Sequence, residues 1–334
     1  MRRGISLYGT VVCAVTLLIP ALIPAAARAD ATVTQEFELR PGWNAIFLEV
    51  QPEPDDPATV FAGVPVESVW TWFEPSSAVQ FIQNPGEGDW NQAAWGAYLK
   101  AEDQGFLTNL HAVIANRAYL VKLEGSQAVS WSVAGRPTSG LIEWVADSFN
   151  LVGFRVASAP PTFADLLAPS SAHVGQAIYR IGDSGNWEFV DDPASASVRS
   201  GEAYWVYCEG ASTYQGTLDV QLPGGDGLDF GALTDSLTIT LHNLSDQTVD
   251  VTIVPLSTDV DLAYRTLSET GDFEWPPLQD MPAIRLGPDG WNNLRIAVRR
   301  ETLEVERAES VIQITDGRGT RLQVPVLVEK EATP

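Results

Sequence analysis

Pro41-Gly42-Trp43-Asn44-Ala45-Ile46-Phe47-Leu48-Glu49-Val50 returns later in the chain as Asp147-Ser148-Phe149-Asn150-Leu151-Val152-Gly153-Phe154-Arg155-Val156. The same landmarks follow each copy in the same order. They are a short helical piece around Phe61 and Phe163, a strand at Val69-Trp70 and Ile178-Tyr179, and a turn at Gly88-Asp89-Trp90 and Gly185-Asn186-Trp187. A strand at Ala118-Tyr119-Leu120-Val121 and Ala203-Tyr204-Trp205-Val206 closes the series. Packing residues repeated in this way report architecture, here a duplicated β module. Residues 43–50, 66–73, 79–83, 118–123 and 128–133 are rich in β-branched and aromatic side chains and bounded by Pro, Gly, Asn and Asp, which predicts strands. Copy two repeats them at 149–156, 177–181, 187–190, 203–208 and 217–222. Thr162 is a plausible cap for Phe163-Ala164-Asp165-Leu166-Leu167, which stops at Pro169, so one short helix per copy is expected.

Pro223-Gly224-Gly225-Asp226-Gly227 reads as a linker, and beyond it the strands lengthen and alternate strictly. Leu237, Ile239 and Leu241 share a face, as do Val249, Val251 and Ile253; Leu294, Ile296 and Val298; and Leu322, Val324, Val326 and Val328. Roughly a hundred residues of such strands, with a hairpin turn at Asp316-Gly317-Arg318-Gly319, meet the needs of an immunoglobulin-like β-sandwich. The expected fold is all-β: two homologous β modules, at 30–137 and 138–223, each with one short helix, then a linker at 224–231 and the sandwich at 232–334.

Residues 1–29 have the layout of a cleavable secretory signal: a basic Met1-Arg2-Arg3 start, an apolar stretch from Val11 to Ile23, and Ala27-Arg28-Ala29 before Asp30. No later segment is apolar for long enough to span a bilayer. Losing Arg2, Arg3 and Arg28 reduces 20 basic residues to 17 against 43 acidic ones, a net charge of −26 for the mature chain. That charge argues against nucleic acid and anionic membranes as partners. Cys13 lies in the signal, which leaves Cys208 alone in the mature chain, without an intrachain disulfide and in a strand that favours a buried, inert thiol. Export to the periplasm, the cell surface or the exterior is expected, with ordinary apolar cores providing the stability.

With Gly42-Trp43-Asn44 opening copy one and Gly201-Glu202-Ala203-Tyr204-Trp205-Val206 closing copy two, the mature chain resembles secreted multidomain bacterial proteins built from modules of this type. Copy one departs at Asn116-Arg117-Ala118-Tyr119-Leu120-Val121. The resemblance implies β architecture and export, and no defined activity.

Several motifs invite chemistry and fail on their surroundings. Gly182-Asp183-Ser184-Gly185 looks like the nucleophile segment of trypsin-like serine proteases, yet Asn186 follows it and no Ala-Ala-His-Cys segment exists, so it reads as a hairpin turn. Gly224-Gly225-Asp226-Gly227-Leu228-Asp229 resembles one calcium nonapeptide, but stacked copies are needed for such a site. His111, His173 and His242 lack metal-ligand spacing, and no metal or cofactor is implied.

The aromatics are more informative. Trp43 with Phe149, Trp70 with Tyr179, Trp90 with Trp187 and Tyr119 with Tyr204 occur in both copies and are assigned to the module core. From the turn tryptophan to the next shared strand, copy one has 28 residues, 91–118, and copy two has 16, 188–203. Trp95 and Tyr98 belong to this insertion and have no counterpart. Sugar rings stack on open aromatic faces, so Trp95 and Tyr98 with Asp89, Asn91 and Gln92 form a candidate carbohydrate patch; burial of Trp95 is the competing reading. Trp275, followed by Pro276-Pro277, is a second loop candidate. The leading expectation is a non-catalytic surface, matrix or adhesion protein whose partner is an extracellular glycan or protein. The alternatives are a carbohydrate-binding protein using the insertion and a glycoside hydrolase with a dispersed carboxylate pair.

Overall fold

The computed structural model describes residues 31–73, 95–100 and 107–330. Strand β1 (Val33–Leu39) leads into β2 (Gly42–Leu48) and β3 (Val50–Pro52), followed by helix α1 (Pro57–Val60), capped by the Asp56 carboxylate on the Thr59 amide. Strands β4 (Val66–Trp72), β5 (Trp95–Leu99), β6 (Arg117–Leu123) and β7 (Val129–Pro137) complete the first copy. They form two antiparallel sheets, ordered β2-β6-β4-β5 and β1-β7-β3. Between these sheets lies a core of Phe37, Leu39, Ile46, Leu48, Val69, Tyr119, Val121, Trp131 and Val133. The predicted strand at 79–83 lies outside the described residues.

The second copy comprises β8 (Ser148–Gly153), α2 (Phe163–Leu167), β9 (Ile178–Ile181), β10 (Trp187–Phe189) and β11 (Ala203–Cys208). Its sheet runs β10-β9-β11-β8, and its own core gathers Val152, Phe154, Phe163, Leu166, Ile178, Tyr204 and Val206 under α2. Thr162 caps α2 by accepting the Asp165 amide, so the expected short helix is present in each copy.

Alternation along β2 buries both of its faces. Ile46 and Leu48 point into the first core, while Ala45 and Phe47 point to the other side, against copy two. The two copies therefore share a third core of Phe47, Trp72, Trp95, Leu120, Leu151, Ile181 and Trp205, flanked by half-buried Trp43, Trp70, Phe149, Tyr179 and Trp187. Among the described residues, most of the repeated aromatics thus form the joint between copies, while Tyr119 and Tyr204 sit in the separate module cores; Trp90 lies outside the described residues. The backbones meet at Phe47, whose amide donates to the Gly201 carbonyl at 2.8 Å, and Ile46 bridges to Glu202. Gly153 is required here because a Cβ would lie 2.1 Å from the Phe47 Cβ.

The remaining strands are β12 (Leu218–Gln221), β13 (Leu228–Asp229), β14 (Ser236–Asn243), β15 (Val249–Pro255), β16 (Leu262–Tyr264), β17 (Thr266–Leu267) and β18 (Phe273–Glu274). After them come β19 (Ile284–Leu286), β20 (Trp291–Val298), β21 (Arg307–Thr315) and β22 (Arg321–Glu329). Sheet β12-β14-β20-β16 packs on sheet β13-β22-β21-β15-β19 around Ile239, Leu241, Val251, Ile253, Ile296, Ile312, Val324 and Val326. Strict alternation produced this core as expected, and the β21–β22 hairpin turns at the predicted place, where Asp316 Oδ1 accepts the Arg318 and Thr320 amides.

Two boundaries move. Residues 217–222, assigned to copy two, supply β12, which pairs with β14 in the register Leu218↔Asn243. The expected linker at 224–231 is partly structural, because Leu228 and Phe230 are buried and β13 runs parallel to β22. Their apolar side chains outweigh the flexibility that the preceding glycines confer.

Candidate functional site

The carbohydrate patch expected in copy one is not assembled by the described residues. Trp95 is 4% exposed on β5, with its ring centroid 6.4 Å from that of Trp205 in the joint core. Tyr98 is half-buried and packs against the first core instead. Three positions apart on a strand, the two side chains point to opposite faces, so one sugar cannot lie on both. Asp89, Asn91 and Gln92 lie outside the described residues. Trp275, the second aromatic candidate, is 37% exposed, and its carbonyl accepts from the Arg299 guanidinium at 3.0 Å.

The other motifs resolve as structure. Gly182–Gly185 forms the β9–β10 turn, with Gly185 at φ +76° and its amide donating to the Gly182 carbonyl. Asp226 of the calcium-like segment accepts from Thr138 Oγ1 at 2.7 Å and from the Ser139 amide at 2.9 Å, tying the segment to the junction between the copies just beyond β7. Among the described residues no three His, Cys, Asp or Glu side chains gather as metal ligands. Cys208 is buried, and burial pushes its thiol pKa up, which disfavours the reactive thiolate.

His173 is fully buried, with Nδ1 2.6 Å from Ser170 Oγ and its ring centroid 4.0 Å from that of Trp144. Burial lowers its pKa from 6.5 to about 4. As pH falls, the unfolded chain binds this proton first, so the stability His173 confers is complete above pH 6.5 and drains away towards about pH 4. Urea midpoints measured across that window should fall less steeply in His173→Gln than in the wild type; parallel curves would refute the assignment.

Clefts among the described residues lie between the bodies, and two of them carry polar linings. The first, about 520 Å³, lies between the copies and is lined by Glu36, Glu38, Arg40, Arg199 and Glu202. Burial raises the Glu202 carboxyl above its usual range, while Arg199 and the hydrogen bond from the Tyr204 hydroxyl at 3.0 Å oppose the rise. The second, about 570 Å³, lies between copy two and the C-terminal sheets and is lined by Ser171, Ser212, Thr213, Gln215, Asp219 and Gln221 among others.

Asp219 and Gln221 continue onto the outward face of sheet β12-β14-β20-β16. Register places Asp219, His242 and Trp291 in one row, Gln221, Thr240 and Asn293 in the next, and Thr238 beside Arg295 in a third. Trp291 is 55% exposed, and its ring stacks on His242 with centroids 3.6 Å apart and planes 14° from parallel. His242 itself is buried, with Nε2 2.6 Å from Asp289 Oδ1. The expectation that Leu294, Ile296 and Val298 share the buried face of one strand implied that Trp291, Asn293 and Arg295 face outward. An aromatic on the polar side of that alternation was the available signal, and the insertion drew attention away from it.

No protein-family model matches the chain, and comparison with curated proteins returned no match. Among solved structures, the chain is similar to the ASH/PapD-like domain of human CEP192 (PapD-like domain 7), with 10% identity and a TM-score of 0.22 over 35% of this chain and 87% of that one. It is also similar to the alkylpurine DNA glycosylase AlkC of Pseudomonas fluorescens, with 15% identity and a TM-score of 0.20 over 34% of this chain and 30% of that one. Likenesses this slight carry no argument about function. Among the described residues no helix is long and apolar enough to cross a membrane.

Proposed function

We propose that the chain is an exported, non-catalytic protein of surface, matrix or adhesive type, with an immunoglobulin-like C-terminal sandwich as its display element. The reading is supported above all by the joint core: the aromatics shared by the two copies are used to fuse them, which makes a stiff mount for the sandwich. Export rests on the signal-like residues 1–29. Cell fractionation with N-terminal sequencing should find the chain outside the cytoplasm, beginning near Asp30. A cytoplasmic chain retaining Met1 would refute export.

The hydrolase alternative is served best by the inter-copy cleft, where Glu202 would be the proton donor and Glu36 or Glu38 the second carboxylate. We expect no turnover on a panel of polysaccharides and aryl glycosides. Robust hydrolysis that disappears in Glu202→Gln would replace the display reading with an enzyme.

A further inference from the structure

We infer that the outward face centred on Trp291 is a binding platform for neutral carbohydrate. The inference deepens the display reading by giving the sandwich a ligand class, and it rests on that reading only for its biological setting.

The tryptophan is held ready before any ligand arrives. Its inner face lies against His242, which is buried and anchored beside Asp289 at the β19–β20 turn, so docking on the outer face costs little side-chain entropy. A pyranose presents a flat C–H face that matches such a ring, while its rim of hydroxyls needs both donors and acceptors close by. The adjacent row supplies them. Thr240 Oγ1 donates to Asn293 Oδ1 at 2.8 Å, which leaves the amide N–H groups of the exposed Asn293 as donors, and Gln221 Nε2 donates to Asp219 Oδ2 at 3.0 Å. Same-face residues two positions apart on a strand stand roughly 6.7 Å apart, so a sugar stacked on Trp291 reaches the polar row with the hydroxyls of its rim.

Other ligand classes fit less well. A quaternary ammonium group is held by a cage of several rings, and Trp291 offers one open face. Nucleic acid is repelled by a chain of net charge −23. A protein hot spot is completed by apolar neighbours that exclude water, whereas Trp291 is followed on this face by Thr240, Asn293 and Thr238. The second cleft opens beside Asp219 and Gln221 and continues the surface with a mixed lining in which Ser212, Thr213 and Gln215 stand beside Leu141 and Leu244, so the platform has room for more than one sugar unit.

The test uses the purified chain from Asp30 in pull-downs on cellulose, chitin, xylan and mixed-linkage β-glucan, together with a glycan array. Trp291→Ala and Asn293→Ala are run in parallel, with circular dichroism and melting to show that each is folded, and Phe273→Ala, at an aromatic 62% exposed, serves as the control. We expect selective binding to at least one neutral glycan, weakened about tenfold or more by Trp291→Ala, less by Asn293→Ala, and unchanged by Phe273→Ala. Silence across all probes, binding confined to charged glycans, or binding unaltered by Trp291→Ala would each overturn the inference. Because export is measured by fractionation, failure of the glycan site and failure of the display reading are separate results.

Discussion

Trp205→Ala is expected to destabilise the protein by about 3–5 kcal/mol, the range for a large aromatic truncated in a well-packed core. Trp205 is 2% exposed, and its ring contacts reach both copies: Trp72 at 5.6 Å and Trp95 at 6.4 Å belong to copy one, and Trp187 at 6.2 Å belongs to copy two. These edge-on arrangements are the favoured aromatic geometry, so the cavity left behind removes specific ring contacts as well as area. Its strand is also the centre of the second copy's sheet, with Leu151 opposite it on one side and Tyr179 on the other. Trp205→Phe should recover a substantial part of the loss. Urea unfolding followed by near-ultraviolet circular dichroism would measure both variants. A loss below about 1 kcal/mol for Trp205→Ala would mean that the joint is a loose contact instead of a shared core.

How much of this was legible in the sequence depended on where each residue's partner lay. Strand alternation in the C-terminal region identified its core because both sides of that core are long, regular strands, and Ile239, Leu241, Val324 and Val326 needed only period two to be placed. The repeat located the module strands for the same reason. It could not tell Tyr204, which faces α2, from Trp205, which faces the other copy, because a strand buried on both faces shows no polar side. Burial of Trp95 was one of two readings open in the sequence, but its partner was hidden: lacking a counterpart in copy two marks only an insertion, and Trp205 is more than a hundred positions away along the chain. Leu228 and Phe230 were hidden by the glycines before them, since local turn chemistry carries no record of a groove beside β22. Trp291 was the legible residue that went unread. Its strand register and neighbouring polar side chains already placed it on a solvated face.

The ionic junction was the least legible feature, because its charges come from segments that nothing in the sequence links. Arg321 begins β22, Glu49 lies between β2 and β3, and Arg155 follows β8, yet all three meet where the two copies and the sandwich converge. Arg321 Nη2 donates to Glu49 Oε2 at 2.7 Å and its Nε to the Val156 carbonyl at 3.2 Å, while Arg155 Nη2 donates to Asn116 Oδ1 at 2.6 Å. Backbone bonds from Ala157 to Gly319 and from Arg321 to Arg155 continue the seam. Glu49 is 5% exposed; burial pushes its carboxyl up, and Arg321 and Arg155 pull it back. Arg321→Ala removes the direct partner and leaves a buried carboxylate facing only Arg155, a change that typically costs about 3–5 kcal/mol. Because the lost bonds join bodies with separate cores, the loss should appear as uncoupling: the sandwich and the repeat pair should melt in two transitions that lie closer together in the wild type. Replacing both partners, as Glu49→Gln with Arg321→Met, should cost less than Arg321→Ala, because no carboxylate is then left without its ion pair. Calorimetry on the three proteins decides the matter. If Arg321→Ala melts like the wild type, the seam is held by its backbone bonds alone.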